Sequence, residues 1–251
     1  MAEAKLKDGQ SFVVQEQEVS PPRQPLKVHH LSHDLRGPLN SILGFAELLK
    51  EGIEGPINEI QAEDLAAIHQ SARNLLHLID AIVDLSKLEN DGLILTFEPV
   101  QLTPIIEHLV ASQNERSGSH QIDLVASLPE SFPPLWADRY RVEQMALSLV
   151  RFASSLKQAG QININAYYDE KDVTIEIMVS DILLPPEQLE ELFELIVKVN
   201  ADGRSKLGIG GLDLPLAYQL AKKQAGQVWV ESREEMGTTF YLRLPLHQLD
   251  D

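Results

Sequence analysis

Two runs of apolar residues at helical spacing, separated by a short breaker, constrain this chain most. From residue 27 to 50, Val28, Leu31, Leu35, Ile42, Phe45 and Leu49 form one stripe, with Pro38 standing between Leu35 and Ile42. The next segment, EGIEGPIN, holds two Gly and one Pro and stops the helix. A second stripe follows in Leu65, Ile68, Ala72, Leu75, Ile79 and Ile82, widened by Leu76, Leu78 and Leu85. Two long amphipathic helices joined by a short loop predict an antiparallel hairpin. A hairpin cannot cover its own apolar face. The simplest cover is a second copy, giving a four-helix homodimer.

The flanking sequence reads differently. Residues 1–26 are polar, end in SPPRQP and read as a tail or linker. Near residue 93 the helical period gives way to short strand-like runs: LILTFEPV, QIDLVA, QININAYY and DVTIEIMVS. They alternate with helical stretches at 101–114, 139–157, 186–198 and 212–224. The final GQVWVESREEMGTTFYLRLPL predicts a strand, a turn at Met236-Gly237 and a strand. This order predicts an α/β sandwich, one sheet with helices on one face. The expected class is α+β, with a tail at 1–26, a dimerising hairpin at 27–98 and a sandwich at 99–251.

Composition narrows the function classes. The 43% hydrophobic content supports a packed core, and 251 residues suit one large or two modest domains. No apolar stretch approaches the roughly 20 residues needed to span a bilayer. MAEAKLKDGQSFVV lacks the long apolar run of a signal peptide. The absence of Cys removes disulfides, thiolate metal sites and thiol nucleophiles. A net charge of -17 opposes nucleic-acid backbones and anionic lipid surfaces. A soluble cytoplasmic protein, with neither nucleic acid nor membrane as partner, is the expectation.

The sharpest chemical signal is LSHDLRGPLNSILGFAELL. His33 falls two residues after Leu31 and two before Leu35, so it lies on the face opposite the stripe. Asp34 follows directly. An exposed imidazole beside a carboxylate is a plausible nucleophile, because the carboxylate orients one ring nitrogen and accepts its proton while the other attacks. The alternative is an ordinary solvated His on a helix surface. Pro38 predicts a kink just beyond. His29 and His33 share a helical metal spacing, yet no carboxylate triad or Cys joins them, so no metal site is expected. His69 and His77 read as bundle surface, and Trp136 and Trp229 as core packing.

SHDLRGPLN resembles the H-box of sensor histidine kinases of two-component systems. LLHLIDAIVDLSKLEN resembles the end of the second bundle helix of that family, and residues 99–246 are similar to its ATP-binding domain. The resemblance implies a dimeric bundle in which His33 is the phosphoacceptor, supported by Asp34 as acid or base. It also implies ATP and Mg²⁺ as cofactors and an aspartate on a response regulator as the phosphoryl partner.

Within the ATP-binding half the residues depart from the family pattern. In DRYRVEQMALSLVRFASSLKQAG, Asp138, Arg141 and Gln144 keep the frame of the N-box. Its two Asn positions fall on Ser148 and Phe152, and its Lys position on Ser155. Phe152 offers no oxygen to a hard cation. In VSDILLPPEQLEELFE, Asp181 matches the carboxylate that accepts from the adenine amino group. Ile182, Leu183 and Leu184 replace the glycines, in a segment two residues shorter. In LGIGGLDLPLAYQLAKKQAG, Gly208, Gly210 and Gly211 remain, while Asp213 replaces the glycine that opens the next helix and Pro215 stands two residues on. Asp213 sets a negative charge where a helix N-terminus would meet phosphate. Gly37 occupies the position of the family's Thr or Asn, a residue tied to phosphatase activity.

Three functional readings stand at this point. The chain is an active ATP-dependent autokinase. Or it is a phosphorelay pseudokinase whose His33 exchanges phosphate with a regulator or a partner kinase subunit. Or it is a non-catalytic dimeric scaffold. The set Ser148, Phe152, Ser155 and Asp213 separates the first from the others, and the His33–Asp34 pair separates the second from the third.

Overall fold

The computed structural model describes residues 28–53, 55–116, 121–157, 159–193, 197–199, 205–207 and 211–247. The tail at 1–26 and two of the site glycines, Gly208 and Gly210, lie outside these residues.

In chain order the elements are α1 (Val28–Lys50), α2 (Glu59–Glu89), β1 (Glu98–Val100), α3 (Leu102–Arg116), β2 (Gln121–Ser127), β3 (Leu135–Ala137), α4 (Arg139–Ser155), β4 (Ala159–Tyr168), β5 (Asp172–Val179), α5 (Pro186–Glu191), β6 (Val197–Val199), β7 (Ser205–Leu207), α6 (Asp213–Lys223), β8 (Gln227–Arg233) and β9 (Gly237–Pro245).

Helices α1 and α2 form the hairpin. The loop turns at Gly52 and Gly55, both at positive φ. A capping box then starts α2: Asn58 Oδ1 accepts from Gln61 N–H, and Gln61 Oε1 accepts from Asn58 N–H, both at 2.9 Å. Within the chain, Leu39 packs with Ala72 and Ile79, flanked by Leu43 and Leu76. Arg36 adds a contact to Asp80 at 2.7 Å. The other half of the apolar stripe is bare: Leu35, Ile42 and Phe45 on α1 and Ile68, Leu75 and Ile82 on α2 are exposed. The α2 members recur every seven residues, the spacing of a coiled-coil seam.

The second unit is built on a five-stranded sheet in the order β2-β4-β5-β9-β8, parallel between β2 and β4 and antiparallel elsewhere. Alternate residues point inward: Ile162, Ile164 and Ala166 of β4, Ile175 and Ile177 of β5, and Phe240 and Leu242 of β9. Helices α3, α4 and α6 supply the facing layer through Ile105, Ile106, Met145, Leu149, Leu216 and Leu220. The end of α2 joins the same core through Ala81 and Leu85. Asp138 caps α4 by accepting from Arg141 N–H at 3.1 Å, and its second oxygen accepts from Thr96 N–H at 2.9 Å. Gly237 has φ +77, and a Cβ there would collide with the backbone of Val179 and Ser180.

Two expectations need correction, and one element goes unforeseen. The strand foreseen over LILTFEPV shrinks to β1, because Thr96 N–H bonds to the Asp138 carboxylate and Leu93 enters the core instead. The helix foreseen over 186–198 stops at Glu191. Leu192 there turns fully into the core, Phe193 packs on Tyr218 at 5.7 Å, and Val197–Val199 pairs with β7. The short LWA strand β3, paired with β1, is not foreseen by the sequence reading.

Candidate functional site

On α1, His33 is 86% exposed and its Nδ1 lies 3.6 Å from Asp34 Oδ1. That separation is too long for a hydrogen bond, and it leaves the Asp34 carboxylate beside Nδ1. Because Nδ1 faces Asp34, Nε2 is the ring nitrogen left toward solvent. Pro38 lies inside the helix, and Ser41 Oγ donates to the Gly37 carbonyl at 3.2 Å, so the backbone just beyond His33 is bonded by a side chain as well as by the helix. A Cβ on Gly37 would meet nothing within 4 Å.

On the sandwich, the residues at the nucleotide-related positions are engaged with the protein itself. Phe152 is buried and packs edge-to-face on Phe240, ring centres 5.5 Å apart. Ser148, one turn earlier, is buried, and its Oγ has no hydrogen-bond partner. Ser155 Oγ donates to the Phe152 carbonyl at 2.7 Å. Asp181 follows β5, and its carboxylate accepts from Lys157 Nζ at 2.7 Å. That hydrogen bond holds the Asp181 carboxyl below the usual carboxylate range. The segment after Asp181 is fixed by a chain of hydrogen bonds to β8 and β9. Leu184 N–H donates to Ser232 Oγ at 3.0 Å, Ser232 Oγ lies 2.9 Å from Thr238 Oγ1, and Thr238 Oγ1 donates to the Ile182 carbonyl at 2.8 Å. Leu184 is buried and Leu183 exposed.

Gly211 sits just before α6 at φ +57. Asp213 opens α6, and its Oδ1 lies 2.7 Å from His77 Nε2 on α2. His77 is therefore not plain bundle surface as the sequence reading had it; it is half-buried against α6. A second contact joins the same two units: Arg141 and Gln144 both donate to Asp84 Oδ2 at 2.8 Å. The expectation of core packing for Trp229 also needs correction. It lies on the outer sheet face, stacked on Tyr241 at 4.7 Å with the Arg243 guanidinium 4.9 Å from its ring centre.

The sequence reading names His33, Asp34, Asp181 and Asp213 as candidates and does not name Lys157, the partner of Asp181, or the contact of His77 with Asp213. Lys157 lies two residues past Ser155, the family's Lys position, and His77 reads from sequence as bundle surface. A displaced cation near a carboxylate position was the available signal for Lys157; nothing local signalled His77. Among the described residues no group of three or more His, Asp or Glu stands together as a metal site needs, and no helix is long and apolar enough to cross a membrane.

Comparison with known proteins places these two units. Residues 28–91 match the His Kinase A (phospho-acceptor) domain, and residues 137–248 match the histidine kinase-, DNA gyrase B- and HSP90-like ATPase family. Histidine protein kinase DivJ of Caulobacter vibrioides is 31% identical over 223 residues, covering 86% of this chain and 36% of that protein. Sensor protein TorS of Escherichia coli is 31% identical over 219 residues, covering 86% of this chain and 23% of that protein. The chain thus spans about a quarter to a third of the length of these relatives. Among solved structures, full-length ShkA in complex with AMPPNP superposes with a TM-score of 0.66 at 23% identity, covering 90% of this chain and 47% of that one. Histidine kinase ThkA in complex with response regulator protein TrrA gives a TM-score of 0.58 at 22% identity, covering 87% of this chain and 60% of that one. With a hairpin that matches the phospho-acceptor domain followed by a sandwich that matches the ATPase family, the chain belongs to the histidine kinase family of two-component signalling proteins.

Proposed function

We propose that this chain is a phosphorelay member of its family: a homodimer whose His33 exchanges a phosphoryl group with a response regulator or receives it from a partner kinase subunit, and whose own ATP site is impaired. The observation that carries the reading is the contrast between the two units. The His33 imidazole is bare, whereas Phe152, Asp181 and Asp213 are already engaged by Phe240, Lys157 and His77. Phe152 in the core offers nothing to Mg²⁺, and the Lys157 ammonium lies on the carboxylate that the family resemblance assigns to adenine. These side chains, as placed, do not fit Mg²⁺-ATP.

In the reverse relay, Nε2 of His33 attacks the phosphorus of a regulator's aspartyl phosphate. The N–P bond forms, the P–O bond to the aspartate breaks and the carboxylate leaves. The imidazolium then sheds its Nδ1 proton with Asp34 beside it. The regulator as partner is supported by the ThkA–TrrA neighbour, which is a kinase in complex with one. The homodimer is supported by the bare seven-residue seam on α2.

Two incubations test the proposal. Purified chain with Mg²⁺ and ATP is expected to gain no acid-labile phosphate; labelling of His33 there would establish the autokinase reading, which the AMPPNP-bound ShkA neighbour favours. With a pre-phosphorylated regulator from the same cell, wild type is expected to take up phosphate and His33→Gln to take up none. Equal uptake by both would move the acceptor elsewhere. No uptake from any regulator or kinase would leave the scaffold reading.

A further inference from the structure

Helix α2 presents a second seven-residue repeat on the side opposite its bare apolar seam. His77, Asp84 and, just past the helix end, Asp91 each reach the sandwich: His77 to Asp213, Asp84 to Arg141 and Asp91 to Lys223. The three contacts differ in kind. Asp84 and Arg141 are nearly buried beside the apolar junction at Ala81 and Leu85, which makes that part of the boundary a fixed one. Asp91 is solvent-exposed and its pair is weak. The His77–Asp213 contact lies one turn beyond the apolar junction, at its edge, where water reaches both side chains.

Asp213 is unusual for its place. A carboxylate in the first turn of a helix lies near free backbone N–H groups and the positive end of the dipole, and it is favoured there without any other partner. The position before it, Leu212, supplies no side-chain cap. Even so, the Asp213 carboxylate reaches across the boundary to an imidazole on the other unit, which donates from Nε2. The end of α6 that follows the Gly-rich segment is thereby tied to the flank of the hairpin.

We propose that His77 and Asp213 form a latch between the two units. With the pair made, the N-terminus of α6 is held against α2. With it broken, the sandwich pivots about the junction at Ala81 and Leu85 and the α6 N-terminus is free of the hairpin. The proposal extends the family's two-unit arrangement and does not depend on whether nucleotide binds, so it stands or falls separately from the relay reading.

The absence of native Cys makes the test direct. Cysteines introduced at exposed Glu63 on α2 and Asp123 on β2 in the full chain carry spin labels, diluted with unlabelled chain so that only distances within one chain are read. Wild type is expected to give one narrow distance distribution. His77→Ala and Asp213→Asn are each expected to lower the ratio of docked to undocked molecules by about tenfold, the lower range for a hydrogen bond to a charged group. The exchange His77→Asp with Asp213→His is expected to restore the narrow distribution. An unchanged distribution in both single variants overturns the latch, and so does an exchange variant as broad as the singles. If His77→Ala fails to fold, His77→Gln is read in its place under the same criteria.

Discussion

Replacing Leu75 with Glu is the most direct trial of the bare seam. Leu35, Ile42, Phe45, Ile68, Leu75 and Ile82 remain between 39% and 65% exposed in the single chain. Full burial of such a side chain stabilises by about 1.5–3 kcal/mol, so each has about 1 kcal/mol still to gain. Six residues on each of two chains amount to about 12 kcal/mol, against an association cost of about 4–15 kcal/mol. The margin is narrow, and a change made twice in one interface decides it. Leu75→Glu forfeits about 1 kcal/mol of apolar burial per chain and places a carboxylate among apolar groups at about 2 kcal/mol or more. Over both copies this is about 6 kcal/mol, or roughly a ten-thousandfold weaker dimer. Sedimentation velocity at micromolar concentration should show a dimer for wild type and a monomer for the variant, with helix content unchanged. Ile94→Glu is the control, since Ile94 is exposed and lies off both helices. A monomeric wild type, or a dimer that survives Leu75→Glu, would refute the assignment of this seam.

Three further outcomes are expected. Lys157→Met should raise the Asp181 pKa toward its ordinary 3.8, read by carboxyl-carbon chemical shifts across a pH series. Because the folded pKa is the lower one, the stabilisation from the pair is present above pH 3.8 and is lost as pH falls below it through the folded value; an unmoved titration would mean the ion pair does not form in solution. Gly237→Ala should destabilise by about 1 kcal/mol or more, seen as a lower urea midpoint, because the alanine must hold a left-handed backbone and its Cβ meets Val179 and Ser180. Asn58→Ala should cost about 1 kcal/mol through loss of the α2 cap, measured by thermal melting, and an unshifted midpoint would show that the capping box is not formed.

The hairpin was legible because its period and its breaker are local properties of the chain. Leu39 and Ala46 nevertheless take the positions facing α2, while Leu35 and Ile42 do not, since a broad apolar stripe does not reveal which flank meets which neighbour. Strands β4 and β5 were legible from alternation alone. The end of α5 was not. PEQLEELFEL carries helical spacing throughout, yet the helix ends at Glu191 and Leu192 is buried in the core. In the candidate site, His33 stood out because its apolar neighbours fix the face it occupies. Lys157 and His77 did not, because their partners Asp181 and Asp213 lie 24 and 136 residues away along the chain. Pairings of that kind have no period to read.

The seven residues from Leu75 to Ala81 cover one full heptad of α2, and every one of them is engaged. Leu75 belongs to the bare seam, Leu76 and Ile79 pack around Leu39, and Asp80 holds Arg36. His77 meets Asp213, while Leu78 and Ala81 enter the core of the sandwich. A helix with a spare face tolerates drift there; this stretch has no spare face. Neutral variation is therefore not available between Leu75 and Ala81, and a lineage altering how its two units fit together has to change several neighbouring residues at once.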